Sequence, residues 1–230
     1  MLRRVAFGVI MSLAAGAPAQ AQFAGSVGLD SDYRFRGYSL TNDHPAASGQ
    51  ISYDAPSGLY VSVLGLAELG PDTRLLGVIG NAGYAKRFNP HLTVDAGVLR
   101  SQIRAASPER LGFDYTEIYA GASAGPVTGR LYYSPDYRSG SQSTLYGELE
   151  AGFAPLPNWR LAGHVGLLTY LNSASFYRAG DTHRDWRVTL VRQLGKLEVH
   201  AAVSGGAPYT YYGYQVHKKI AFTVGSSFSF

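Results

Sequence analysis

Charged residues spaced two apart are the part of this sequence best suited to chemistry. Asp30, Asp32, Arg34 and Arg36 follow one another at that interval, acid before base. An extended chain would carry all four on one face. Asp95, Glu117, Arg130, Glu148, Glu150, Arg160, His164, Arg187 and Glu198 occupy the same kind of position in later segments, as do Glu68 and Lys196. Ions enclosed by a membrane protein must pair or face water. Such stripes would therefore line a hydrated passage or lace a filled interior with salt bridges. The placed acids, eight in all, and the six bases give no strong preference for either sign of solute.

Two other constellations point to different chemistry. Gly121-Ala122-Ser123-Ala124-Gly125 matches G-x-S-x-G. A nucleophile elbow needs that motif on a strand-to-helix turn, yet the segment ends an apparent strand and runs into Pro126. The six histidines, His44, His91, His164, His183, His200 and His217, share no ligand spacing of i, i+4 on a helix or i, i+2 on a strand. They read as polar surface residues, with His44, His183 and His217 in loops. No catalytic residue, metal or cofactor is implied.

The elements that would hold the charges are strands. Phe23, Val27, Leu29, Tyr33 and Phe35 share one parity and Ser26, Asp30, Asp32, Arg34 and Arg36 the other, a division that a 3.6-residue period would scramble. The pattern returns at residues 47–54, 92–98, 127–133, 145–153, 159–167, 186–190 and 196–203, and less cleanly at 115–124, with Glu117 and Ser123 inward and Ile118 and Ala120 outward. Residues 59–68 and 73–88 are apolar on both parities, with Leu64 and Leu66 on the inner one. The last strand alternates Ile220, Phe222, Val224, Phe228 and Phe230 with Ala221, Thr223, Gly225, Ser227 and Ser229. Twelve strands result, each long enough for the ~9–11 residues of a tilted membrane crossing. Short turns fall at residues 54–58, 88–91, 125–127, 154–158 and 194–196. Longer polar loops fall at 37–44, 104–112, 136–142, 172–183 and 205–216, with 70–72 a short exception. Short periplasmic turns and longer external loops are how barrels are connected. An apolar parity in lipid requires closure, because an open edge would leave backbone groups unpaired at several kcal/mol each.

The ends and the totals agree with this. Arg3 and Arg4, an apolar run and Ala19-Gln20-Ala21 form a three-part secretory signal, so residues 1–21 are expected to be removed and 22–230 to form the barrel. The run is too short for the ~20 residues of a spanning helix. There is no cysteine, and the formal net charge is +4, two units of which leave with the signal. That bias is too weak to argue for nucleic acid. Charged residues are 16% and mean hydropathy is −0.06, as expected when one strand face cancels the other.

Residues 28–37, Gly-Leu-Asp-Ser-Asp-Tyr-Arg-Phe-Arg-Gly, resemble the start of the TorF-type porin family of proteobacterial outer-membrane β-barrels. Residues 45–49, 56–60, 114–121 and 133–137 resemble the same pattern. The terminal aromatics Phe228 and Phe230 resemble the signal that such barrels present to the assembly machinery. The resemblance implies location and fold more than activity, and brings no catalytic residues. The expectation is an all-β, closed antiparallel transmembrane barrel of about twelve strands, in contact with outer-membrane lipid. It would pass small hydrophilic solutes by diffusion, with Asp32, Arg34 and Arg36 at the constriction. Tyr33, Phe35, Tyr53, Trp159, Trp186, Phe228 and Phe230 would form interfacial girdles. A non-conducting structural or adhesive barrel, a lipid-modifying barrel enzyme and a soluble lipocalin-like barrel, which reverses the two faces, stay open as alternatives.

Overall fold

The computed structural model describes residues 22–41, 43–70, 73–104, 113–137, 142–173, 179–206, 210–211, 214–215 and 220–230. The expected leader, residues 1–21, and His217 lie outside them. The strands are β1 (Gln22–Asp30), β2 (Arg34–Phe35), β3 (Tyr38–Ser39), β4 (Ala46–Asp54), β5 (Leu59–Glu68), β6 (Arg74–Asn89), β7 (Leu92–Ile103) and β8 (Phe113–Ala124). They continue as β9 (Val127–Ser134), β10 (Thr144–Phe153), β11 (Trp159–Tyr170), β12 (Thr182–Leu194), β13 (Leu197–Gly206), β14 (Thr210–Tyr211), β15 (Tyr214–Gln215) and β16 (Ile220–Ser229). The twelve long strands form a closed antiparallel barrel, each paired with its neighbours in the chain and β1 closing on β16. Among the described residues no helix is long and apolar enough to cross a membrane.

Alternation decides which way each wall residue points. Outward positions are apolar and exposed, as in Val27, Leu29, Ile51, Val98, Ile118, Leu131, Leu149, Val165, Val188 and Phe222. Phe23 packs against Tyr53 in a tilted pair with ring centroids 4.7 Å apart, and Trp159, Phe228 and Phe230 lie toward the same end, the one that carries the short turns. Glu117, Asp95, Arg130 and Glu198, on the other parity, are all buried.

The barrel departs from the simple alternation in its first segment. The wall strand β1 stops at Asp30 and does not run on to Arg36. Residues 31–41 turn into the lumen as a small hairpin, with Arg34 opposite Ser39 and Phe35 opposite Tyr38. Its two turn residues, Arg36 and Gly37, have φ of 48° and 78°. Positive φ at both central positions marks the two-residue turn whose twist suits a hairpin. Tyr33 and Phe35 therefore leave the girdle assigned to them and pack against the buried interior cluster.

That interior cluster also accounts for the strands that were apolar on both parities. Leu66 of β5, Leu76 and Ile79 of β6, and Leu99 and Ile103 of β7 turn inward and join Tyr38 and Leu40 of the hairpin segment. A bulge where Leu66 opposes Gly77 and Ala67 opposes Leu75 lets Leu76 face inward while Leu75 stays 70% exposed outside.

Candidate functional site

The lumen is organised by rows of facing residues. One row runs Tyr60, Gly83, Gly97, Tyr119, Tyr132, Tyr146, Leu168 and His183 across β5 to β12. The two glycines have a reason to be there. Tyr60 and Tyr119 reach over them and share a 2.5 Å hydrogen bond, and a Cβ on Gly83 or Gly97 would sit 2.4–2.6 Å from the phenol oxygens. The row beside it reads Asp95, Gly121, Arg130, Glu148, Gly166 and Asp185. Arg130 leans across Gly121 to Asp95 at 3.1 Å, and Tyr146 leans across Gly166 to Asp185 at 3.2 Å.

The hairpin enters above these rows and is held at its base and its tip. At the base, the Asp32 carboxylate accepts hydrogen bonds from Arg34 (2.9 Å), Ser39 (2.5 Å) and Thr41 (3.1 Å). At the tip, Arg36 donates both terminal nitrogens to Glu117 at 2.7 and 2.8 Å. Its guanidinium lies 3.9 Å from the Tyr146 ring centroid. On the other side His183 donates to the Arg36 carbonyl at 3.1 Å and stacks on Tyr38 at 4.5 Å. The hairpin thus bridges from β8 to β12. A non-glycine residue with positive φ is uncommon, and here the Glu117 fork compensates for the strain on Arg36. Burial works against the charge of Arg36, but Glu117, with Tyr115 and Tyr137 adding to it, holds the guanidinium pKa well above its ordinary value. Burial foremost pushes the Tyr33 hydroxyl up to about 12, with Arg187 opposing and Asp30 reinforcing.

A cavity remains between the hairpin and one side of the wall. Asp32, Arg34 and Arg36 line it from the hairpin, and Glu148, Glu150, His164, Asp185, Arg187 and His200 are among those that line it from the barrel. His164 approaches Asp185 at 2.8 Å and Glu150 at 3.5 Å. His200 bonds Asp30 at 2.9 Å, and Arg160 stands 3.6 Å from Glu198. Nearer the loop end, Glu68 takes Arg74 and His44 at 2.9 and 2.6 Å.

Several sequence expectations change in this geometry. Lys196 lies in the exposed turn after Gly195, 6.0 Å from the Phe228 ring, and so is not a lumen residue. His183 belongs to β12 and not to a loop. His164 lies inside the barrel, where His183 and His200 are buried, so the surface reading fails for all three. Asp185 and Arg74 had escaped notice; extending the parity of Arg187 back by two residues would have found Asp185. Ser123 exchanges a 2.9 Å hydrogen bond with Thr128 across a strand-turn-strand, which is not the setting of a nucleophile elbow.

A closed twelve-stranded antiparallel barrel with apolar side chains outside and ion pairs within has the fold of the outer-membrane porins. The KdgM porin superposes with a TM-score of 0.56 at 14% identity, covering 90% of this chain and 99% of that one; it has also been solved in complex with disordered oligogalacturonate. The NanC porin gives 0.57 at 12%, with coverage of 90% and 99%. An outer membrane channel from Pseudomonas putida F1 gives 0.51 at 13%, with 96% and 99%. The chain itself belongs to the family described as bacterial protein of unknown function (Gcw_chp), which matches residues 14–228. No curated protein matches it.

Proposed function

We propose that the protein is a narrow outer-membrane channel for passive diffusion of small hydrophilic solutes, with the residue 31–41 hairpin as its constriction. One observation carries this reading: a charged cavity flanks the hairpin, inside a shell whose outward side chains are exposed and apolar. Lipid covers such a shell at little cost, whereas water would not. In this reading residues 1–21 direct export, Phe228 and Phe230 present the assembly signal, and the TorF-type resemblance describes the same location.

The charge balance supports a preference for cations. Asp185 adds an acid to the lumen and Lys196 leaves it, with Arg74 taking its place in the count. Arg36 and Arg130 are each committed to one carboxylate, Glu117 and Asp95. Glu150 and Asp185 share His164 at ion-pair distance, and Glu148 makes no ion pair among the described contacts. A polyanion such as an oligogalacturonate is a poor match for that surplus.

The purified protein in a planar bilayer should give discrete current steps, with cations carrying more of the current than anions. Silence from correctly refolded protein would favour a non-conducting barrel, a reading that the hairpin's attachment to both β8 and β12 supports. Dependence on detergent for monodispersity tests the outward apolar face separately.

A further inference from the structure

The cavity wall holds a cluster that the channel reading does not use. Glu148 and Glu150 stand two apart on β10, and His164 faces Glu150 from β11. One donor atom from each lies within 4.8 Å of the other two. Two features separate this cluster from an ordinary acidic patch. The Nδ1 of His164 is buried and makes no hydrogen bond, although Glu150 stands 3.5 Å away. The other ring nitrogen, Nε2, is held by Asp185 at 2.8 Å, with the Tyr146 hydroxyl at 3.2 Å. A carboxylate on the far ring nitrogen is how proteins fix the tautomer and orientation of a metal-ligating histidine.

We propose that Glu148, Glu150 and His164 bind one divalent transition cation, with Zn2+ as the fitting probe, through two carboxylates and the His164 Nδ1, while Asp185 orients the imidazole. One nitrogen among oxygens favours Zn2+ and its neighbours over Mg2+ and Ca2+, which take oxygen donors. Bonds of about 2.0–2.2 Å need the three side chains to close in by about 1 Å. All sit on two adjacent strands, so rotamer changes suffice. The cations that face the cluster are Arg36, Arg130 and Arg187. The first two are matched by Glu117 and Asp95, so the three carboxylates around His164 keep a surplus for a metal to neutralise.

Calorimetry of the detergent-refolded protein with ZnCl2 tests the site without any need for conduction, so its outcome is independent of the channel reading. One Zn2+ per barrel is expected, with affinity falling at least tenfold in Glu150→Gln and in His164→Gln. Asp185→Asn should lower it by roughly 10–100-fold, and excess MgCl2 should not compete. His44→Gln, at the separate Glu68 pair, should leave binding unchanged. If His164→Gln does not refold, Glu150→Gln decides alone, because Glu150 lies outside the Tyr146–Asp185 hydrogen bonds. Absence of Zn2+ binding, binding indifferent to both variants, or equal competition by Mg2+ would each overturn the site.

Discussion

The two sides of the lumen do different work. From β5 to β7 the inner wall offers Leu66, Leu76, Ile79, Leu99 and Ile103, which share one buried cluster with Tyr38 and Leu40 of the hairpin. From β9 to β13 it offers Arg130, Glu148, Glu150, His164, Asp185, Arg187 and Glu198, most of which line the open cavity. The hairpin rests on the apolar side by burial and is tied to β8 and β12 by directional contacts, the Arg36 fork on Glu117 and the His183 hydrogen bond. A barrel interior need not be uniformly wet: one sector can anchor a loop while another stays open to solutes.

The contrast predicts an order of effects. Removing the tie should cost most. Arg36→Ala leaves Glu117 buried and uncompensated, and a broken buried pair is worth about 3–5 kcal/mol. Urea unfolding of the vesicle-refolded barrel should register that loss, and conductance should rise as the hairpin tip detaches. The double variant with Glu117→Ala should recover part of the stability and none of the closure. A stable, equally closed Arg36→Ala would show that the apolar side alone holds the hairpin.

The apolar side comes next. Leu76→Ala opens space behind the hairpin at about 3 kcal/mol, within the range for buried leucines. The same unfolding assay should show it with cation selectivity unchanged, since the opposite wall is untouched. A shift in selectivity would mean that the two sectors are not separable. Tyr60→Phe is milder. It removes one hydroxyl from the hydrogen bond over Gly83 and Gly97, at about 1 kcal/mol, and should leave conductance as it is.

These sectors differ in how far they could be read in advance. The barrel, its closure and the inward parity of Glu117, Arg130, Glu148 and Glu198 follow from a period of two, which most of the strands display by themselves. The inward hairpin does not. Alternation through Tyr33 and Phe35 continues unbroken into Arg36, although the chain leaves the wall after Asp30 and reverses at Arg36-Gly37 inside the lumen. Once it is inside, apolar residues on both parities of β6 have a partner, and Leu76 and Ile79 make sense. The rows that set Arg130 beside Glu148, and Asp185 across Gly166 from it, depend on register between strands. Side-chain types in one strand carry no information about that.

The smallest effect is expected where the ionic side is loosest, and that makes it the sharpest test of the division. Arg160 meets Glu198 at 3.6 Å with its own side chain 31% exposed and that of Glu198 2% exposed, so water reaches the guanidinium but not the carboxylate. Arg160→Gln keeps a hydrogen-bond donor near Glu198 and should cost about 1 kcal/mol, well below Leu76→Ala. Yet it removes a positive charge from the lumen, so the preference for cations in reversal-potential measurements should increase. A stability loss as large as that of Leu76→Ala would make the ionic wall a packed core like its apolar counterpart, and the cavity beside the hairpin would then be no route for solutes.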